Sequence, residues 1–231
     1  MFNPTIIGTI AEDSLFLHNV DGDDTQRPHS VITFNLIASY HTLESDINTD
    51  MFSIFDCMYV VPQDEDATAL YGGLNKPNTT VMVSGNISAT NSISVTFINT
   101  IDPALEPRII TTAICQGTAS TPPHIDIDPV THNRVISLVI EDDLETKLIA
   151  RTYLDASDES IDPGDITLHI ISAYAESQQY GYELYGYLNS GDLLIKQPDG
   201  SFIESEYDSR ATKDNLTAPF ELIVDYQQLL N

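Results

Sequence analysis

The densest group of possible metal ligands in this sequence consists of His124, Asp126, Asp128 and His132. On an extended segment, Asp126 and Asp128 point to the same side, as a site for a hard cation requires. The four residues stand in a stretch rich in proline and small polar residues, and a solvated acidic linker explains the same pattern. We expect the linker, and these four residues are the candidates for a metal site if there is one.

The motifs of common catalytic chemistry are absent from the sequence. It contains no GxSxG, Walker, HExxH or GxGxxG pattern. A carboxylate pair for glycoside hydrolysis stays open, because 35 acidic residues offer many pairs and only their separation in space decides. We predict no catalytic residues, no cofactor and no enzymatic activity.

Four tyrosines, Tyr180, Tyr182, Tyr185 and Tyr187, stand close together in a chain without tryptophan. On a strand, Tyr180 and Tyr182 share one face, and Tyr185 and Tyr187 share the other. They can replace the aromatic platform of a sugar-binding groove. We favour a two-faced aromatic strand packed in a core or an interface.

The chain is extremely acidic, with a formal charge of −26 from 35 acidic and 9 basic residues. The arginines are scattered singly, whereas contacts to phosphate need clustered cations. We therefore expect no nucleic-acid partner and no binding to an anionic membrane. At molar salt the screening length falls to about 3 Å, so concentrated salt relieves the self-repulsion. An ordinary acidic protein is the alternative to a halophilic one.

Cys57 and Cys115 are the only cysteines and lack CxxC spacing. Two buried free thiols are expected, with a disulfide bridge as the alternative. The N-terminus has no basic and apolar signal pattern, and no apolar run approaches the roughly 20 residues of a membrane span. We expect a soluble chain that the general secretion pathway does not export.

Alternation with a period of two residues dominates the chain and predicts about 14 strands. It is clearest at residues 32–40, where Ile32, Phe34, Leu36, Ala38 and Tyr40 share one face. Residues 92–98 and 166–174 show the same pattern. Helical signals are short, at residues 64–71 and 208–215.

The strand count predicts an all-β fold with very little helix, formed by a jelly-roll β-barrel and a second, stacked β-barrel. The proline-rich stretch at residues 117–133 is the best boundary between them. We expect a first barrel at 1–118, a linker at 119–133 and a second barrel at 134–231. A long loop within one domain, or an insertion in which the last strand rejoins the first half, stays open.

The whole chain resembles the larger major capsid protein of tailless icosahedral haloarchaeal viruses with an internal membrane, the sphaerolipovirus-like vertical single jelly-roll family. The resemblance rests on the length, the start MFNPTIIGTIAEDSLFLHNVDGDD, the acidic loops and the number of strands. It implies a structural role in the virion capsid, with assembly in the host cytoplasm.

The implied partners are the chain itself and a smaller capsid protein, in dimers that form capsomers. The underlying viral membrane, minor capsid proteins and non-specific salt cations complete the implied contacts. Two alternatives are a haloarchaeal β-sandwich module for binding or adhesion, and a glycoside hydrolase or lyase on a jelly roll. The sequence identifies no interface residues.

Overall fold

The structure is a computed structural model that describes residues 1–22, 27–40, 51–88, 90–101, 111–127, 134–154, 162–190, 193–204 and 218–230. The elements of the first half are β1 (Phe2–Ile10), β2 (Phe16–Val20), β3 (His29–Ser39), β4 (Met51–Val61), α1 (Ala67–Leu74), β5 (Thr80–Ile87) and β6 (Ile93–Thr100). Those of the second half are β7 (Thr111–Ala119), β8 (His124–Ile127), β9 (Arg134–Glu141), β10 (Lys147–Leu154), α2 (Pro163–Tyr180), β11 (Tyr182–Ser190), β12 (Leu193–Lys196), β13 (Phe202–Glu204), β14 (Phe220–Val224) and a 3-10 helix (Tyr226–Leu230).

Five strands of the first half close into a ring. β1 pairs with β3 and β5, β3 pairs with β4, and β5 pairs with β6, all antiparallel. A parallel pairing of β4 with β6 completes the ring. The helix α1 lies between the third and fourth of these strands in sequence, and β2 forms a hairpin with β3 outside the ring.

The second half repeats this topology. β7 pairs with β9 and β11, β9 with β10, and β11 with β14, all antiparallel. A parallel pairing of β10 with β14 closes the ring, and α2 again lies between the third and fourth ring strands. The chain is therefore two five-stranded rings of the same connectivity in tandem.

The two rings are joined by backbone hydrogen bonding. β1 pairs with β7 over five residues, from Phe2 opposite Cys115 to Ile6 opposite Thr111. The hairpin of β12 and β13, which follows β11 in the second half, pairs with β4 of the first half. One hydrophobic cluster runs through both interiors. The joined sheets position the outward faces of the two rings relative to each other.

The predicted all-β barrel class is confirmed, with 59% of residues in strands and 15% in helices, which makes the strands the organising elements. The alternation at residues 32–40 is also confirmed, because all five predicted inward side chains are at most 3% exposed. The helix predicted near residue 64 is α1. Its N-cap is Asp66, whose carboxylate accepts hydrogen bonds from the backbone N–H groups of Thr68 and Ala69 at 3.0 and 3.1 Å.

The strand predicted at residues 166–174 is wrong, since this segment belongs to α2. Ile166, Ile170 and Tyr174 fit a period of two and a helical period equally well. Leu168 distinguishes the two patterns, and it is exposed. The start of α2 has the ordinary signals, because Asp162 accepts from the N–H of Gly164 at 2.8 Å and a proline occupies the first helical position. The helix predicted at residues 208–215 lies outside the described residues.

The alternation predicted for β6 holds only as far as Val95. Ser84 pairs with Phe97 and Gly85 pairs with Val95, so Thr96 is an extra residue on β6. This bulge reverses the faces that follow it, because side chains alternate along a strand. Phe97 is therefore exposed, and Ile98 packs against the core.

The predicted boundary region contains regular structure. β7 starts the second ring at Thr111, within the range 1–118 assigned to the first barrel, and β8 lies within the range assigned to the linker. β8 pairs with β9 over four residues. The last strand, β14, pairs with β10 and β11 of its own ring.

Candidate nucleic-acid interface

The outward face of β2, β3 and β4 is an open surface of the first ring with exposed apolar side chains. The register places Phe16 opposite Thr33, Thr33 opposite Met58, and Met58 opposite Ser94 of β6. The next row has His18 opposite Val31 and Val31 opposite Val60. Directly opposed residues share a face. We call Phe16, His18, Thr33, Met58 and Val60 the platform.

The platform exposes apolar side chains that a folded protein normally buries. Phe16 is 54% exposed, Val60 48% and Met58 36%. The rings of Phe16 and His18 have centroids 6.3 Å apart and are tilted by 37°. His18 Nε2 lies 3.1 Å from the hydroxyl of Thr33, which fixes the imidazole on the sheet. The face thus offers two neighbouring rings, one of them held in place.

The loop before β2 is tied to the sheet at the edge of the platform. The hydroxyl of Ser14 donates to the carbonyl of Ala11 at 2.7 Å and accepts from the N–H of Asn35 at 3.1 Å. The N–H of Ala11 donates to the carbonyl of Asn35 at 2.9 Å. These bonds hold the backbone on both sides of the turn, so that Phe16 starts from a fixed position.

The platform borders an open depression of about 620 Å³ whose lining includes Glu12, Asp13 and Asp56. No lysine or arginine belongs to its described lining. Arg27 and His29 stand at the other end of the β2–β3 hairpin, where His29 Nδ1 lies 3.2 Å from the carbonyl oxygen of Arg27. Lys76 lines a neighbouring depression that Phe16 also borders. The surface therefore combines aromatic rings with negative charge.

The corresponding face of the second ring is closed. Its outward residues at the centre of β9, β10 and β14 are buried, and none of Val139, Ile149, Arg151, Glu221 and Ile223 is more than 5% exposed. Ala218 packs on this side with Val139 and Ile149. Among the described residues, the centre of this face is therefore open in the first ring and buried in the second.

A buried ion pair lies within the closed face. Arg151 Nη1 contacts Glu221 Oε1 at 2.5 Å, and the two side chains are 5% and 0% exposed. Arg151 Nε donates to the hydroxyl of Ser137 at 3.1 Å, and the hydroxyl of Tyr40 donates to Glu221 Oε2 at 3.4 Å. Burial, the largest single influence, lowers the pKa of Arg151, but the attraction of Glu221 and the contributions of Tyr153 and Tyr40 together outweigh it, so the pKa is raised. Because Tyr40 follows β3, the first ring helps to close the second.

The candidate metal ligands are only partly within the described residues. His124 and Asp126 lie on β8 at alternate positions, opposite Ser137 and Val135 of β9. Asp128 and His132 lie outside the described residues. Within the described ranges, no three His, Cys, Asp or Glu residues form a group that could hold a metal ion. The metal site stays a prediction.

The tyrosines of β11 lie on both faces of the strand. Tyr182 is buried, whereas Tyr185 and Tyr187 are exposed on the other face of β11, as the alternation predicts. The side chain of Tyr180 is outside the described residues.

Cys57 and Cys115 are free and buried, as predicted, and burial raises the pKa of both thiols. No helix in the described part of the chain is long and apolar enough to cross a membrane.

The connectivity of the two rings is that of OB-fold-like barrels in tandem. Members of the OB-fold bind oligonucleotides and oligosaccharides on the face of the second and third strands. In this chain those strands are β3 and β4. No protein-family model and no curated protein matches the sequence.

The chain is similar to the solved structure of the single-stranded DNA binding protein from Thermus aquaticus, with a TM-score of 0.53 and 12% identity over 93% of this chain and 98% of that one. A deletion mutant of the same protein gives a TM-score of 0.55 and 11% identity, over 90% of this chain and 96% of that one. At this identity the likeness shows the fold, including the tandem arrangement of the whole chain.

This comparison contradicts the predicted capsid function, because the structural neighbours are single-stranded DNA-binding proteins and not capsid proteins. The expected partners, a smaller capsid protein and no nucleic acid, are wrong on the same finding. The physical reason is that length, acidic loops and strand number do not specify connectivity. Two small tandem barrels satisfy all three as well as a capsid fold does.

Proposed function

We propose that this chain binds single-stranded nucleic acid through the platform on β2, β3 and β4. The observation that carries the proposal is the open aromatic face of the first ring, at the ligand-binding position of the barrel class, beside a second ring whose equivalent face is closed. The similarity in fold to single-stranded DNA-binding proteins supports it. The role requires no catalytic residue, in keeping with the sequence-based expectation that the chain is not an enzyme.

Stacking supplies the favourable free energy in this proposal. Each base stacked on an aromatic side chain contributes about 1–3 kcal/mol. Phe16 and the neighbouring imidazole of His18 offer two adjacent rings, and Met58 and Val60 extend the apolar area beside them. Because every base has a π-face, such a surface binds strands of many sequences.

The charge of the chain gives this binding an unusual dependence on salt. Ordinary nucleic-acid binders release counterions, so their affinity falls with a slope of about −0.7 per neutralised phosphate for single strands. Here the lining carries Glu12, Asp13 and Asp56 and no described lysine or arginine. Salt therefore screens repulsion between the strand and the protein, and affinity should rise with salt.

The experiment is fluorescence anisotropy of labelled dT and rU 15-mers, titrated with the full chain between about 1 and 3 M NaCl, where circular dichroism verifies that the chain is folded. We expect binding at high salt and an affinity that does not fall as salt increases. Phe16→Ala should weaken binding by about 5- to 150-fold, the equivalent of one lost stacking contact. Tyr187→Ala, which removes an exposed aromatic from β11, is the matched control and should leave the affinity within twofold.

Two results would refute the proposal. The first is the lack of a measurable complex with either oligonucleotide across the whole range of salt. The second is equal weakening by Phe16→Ala and Tyr187→Ala, which would show that the platform is not the binding surface. Circular dichroism of each variant in the same salt separates loss of binding from loss of fold.

A further inference from the structure

A second open surface lies on the outward side of β1, β7 and β11, beside the 3-10 helix. It is a groove of about 660 Å³, within the volume range of small-ligand sites. Its exposed apolar residues are Ile114, Tyr185 and Tyr187, and its polar lining includes Asn3, Thr112 and Asp225. We call these six residues the tyrosine groove. They share no residue with the platform.

Both the backbone and the hydroxyl of Tyr185 are held by hydrogen bonds. Its N–H donates to Gln228 Oε1 at 2.7 Å, and its carbonyl accepts from Gln228 Nε2 at 2.7 Å, so the side-chain amide of Gln228 continues the sheet. The hydroxyl of Tyr185 donates to Glu183, which also accepts from Gln116 Nε2 at 3.1 Å. Nevertheless Tyr185 is 49% exposed. An exposed ring that is already immobilised loses little conformational entropy when a ligand stacks on it.

The strand register places Tyr187 and several polar groups around the aromatic ring of Tyr185. Asn3 is opposite Ile114 and Ile114 is opposite Tyr185, while Thr112 is opposite Tyr187 in the adjacent row. The carboxylate of Asp225 is oriented by the N–H of Gln227 at 2.8 Å. The amide of Asn3, the hydroxyl of Thr112 and the carboxylate of Asp225 therefore lie beside the two tyrosine rings.

The charge of the groove selects the ligand. The described lining contains one carboxylate, Asp225, and no lysine, arginine or histidine. An anionic ligand would meet only repulsion there, in a chain that already carries a charge of −26. An apolar partner would displace water from the polar groups of Asn3, Thr112 and Asp225 without replacing the lost hydrogen bonds, which is costly. An uncharged ligand rich in hydroxyl groups can stack on the tyrosines and also hydrogen-bond to the polar groups of the lining.

We propose that the tyrosine groove binds an uncharged oligosaccharide. The C–H face of one sugar ring stacks on Tyr185 and that of the next on Tyr187. Sugar hydroxyls donate to Asp225 and exchange hydrogen bonds with Asn3 and Thr112. This binding is independent of the proposed function, since it uses other strands and another chemistry.

The test is saturation-transfer NMR of the full chain in about 3 M NaCl with maltohexaose, cellohexaose and mannohexaose at millimolar concentration. We expect transfer to the C–H protons of at least one of them. Tyr185→Ala should weaken that binding at least about fivefold, as the loss of one aromatic stacking contact implies. Tyr185→Phe keeps the ring and should stay within about twofold. Phe16→Ala, on the platform, should change nothing.

Three outcomes would overturn the proposal. One is the lack of saturation transfer to all three sugars. Another is transfer that Tyr185→Ala leaves intact. The last is displacement of the sugar by a dT 15-mer whose own affinity falls with Tyr185→Ala, which would make the groove a surface for nucleic acid. Failure of the platform proposal alone leaves these readouts unchanged, because Phe16→Ala does not touch the groove.

Discussion

Because the Arg151–Glu221 pair is buried in the closed face of the second ring, we expect removal of one partner to destabilise the chain much more than removal of both. Breaking a buried pair by removing one partner typically costs about 3–5 kcal/mol, because the other charge stays buried and uncompensated. Here the side chains are 5% and 0% exposed, and Ser137 and Tyr40 complete their hydrogen bonding. We therefore expect Arg151→Met to lower the free energy of unfolding by about 3–5 kcal/mol.

Removing both charges should behave differently. Replacement of a whole buried pair by apolar residues of similar volume is often neutral or stabilising. The double variant Arg151→Met/Glu221→Leu should therefore recover most of the loss caused by Arg151→Met. The surface pair of Lys147 and Glu141 is the matched control, since its atoms are 3.4 Å apart and its side chains are 50% and 29% exposed. Lys147→Met should cost less than about 1 kcal/mol.

The assay is urea unfolding followed by circular dichroism in about 3 M NaCl, where surface charges are screened and buried ones much less. The free energy of each variant gives a double-mutant cycle for the pair. If Arg151→Met costs no more than Lys147→Met, the pair is not buried in solution. The second ring would then present an open face, and the assignment of the site to the first ring would lose its basis.

Further measurements test the packing of the barrels and their response to salt. Gly85→Ala should lower the free energy of unfolding by about 1–3 kcal/mol, because a Cβ there would lie 2.1 Å from the carbonyl oxygen of Ser94. Gly72→Ala is the control, since no atom lies within 4 Å of the added Cβ, and it should be neutral or stabilise the helix by up to about 1 kcal/mol. Equal effects of the two substitutions in urea unfolding would contradict the bulge. Cys57 and Cys115 should resist iodoacetamide at pH 8 until the chain unfolds, because burial raises the pKa of both thiols; rapid labelling of the native chain, read by mass spectrometry, would show that the strands open. Dialysis from about 3 M to 0.1 M salt should cause cooperative unfolding, and unchanged circular dichroism would show that the acidity is not an adaptation to salt.

The sequence predicts the strands whose two faces differ in polarity. In β3 the inward residues from Ile32 to Ala38 alternate with Thr33, Asn35 and Ile37, of which only Ile37 is apolar, so a period of two is the best fit. In α2 the alternation of Ile166, Leu168 and Ile170 imitates a strand, and only the exposure of Leu168 separates the two periods. The start of this helix, Asp-Pro-Gly-Asp, was a usable signal, as was the glycine that follows it. Gly181 has a φ of 74°, in the left-handed region that favours glycine after a helix.

The connectivity of the rings is not available from local pattern. The pairings that close each ring join β4 to β6 and β10 to β14 in parallel, across intervening helices and strands. These contacts depend on the packing of the whole chain, and a strand count is the same for many connectivities. The sequence therefore predicts barrels and leaves their kind open.

The closed face of the second ring had a signal in the sequence. The strands β9, β10 and β14 read as nearly continuous apolar runs, RVISLVIE, KLIARTYL and FELIV. Such runs are typical of strands that are buried on both faces. An arginine and a glutamate inside these runs must then be paired, which is what Arg151 and Glu221 do. The platform had a weaker signal, because Phe16 and His18 stand in a short strand whose outward orientation depends on its register with β3.

The acidity of the chain acts differently on its two open surfaces. A nucleic-acid strand brings its own negative charge to the platform, so the repulsion from Glu12, Asp13 and Asp56 decreases as the screening length falls from about 10 Å at 0.1 M salt to about 3 Å at 1 M. An uncharged sugar in the tyrosine groove has no such repulsion to lose. Both proposals rely on aromatic contact, because the described linings of the two depressions include no lysine or arginine. If the chain binds nucleic acid as proposed, concentrated salt favours compact barrels and this binding through the same effect, the screening of carboxylates.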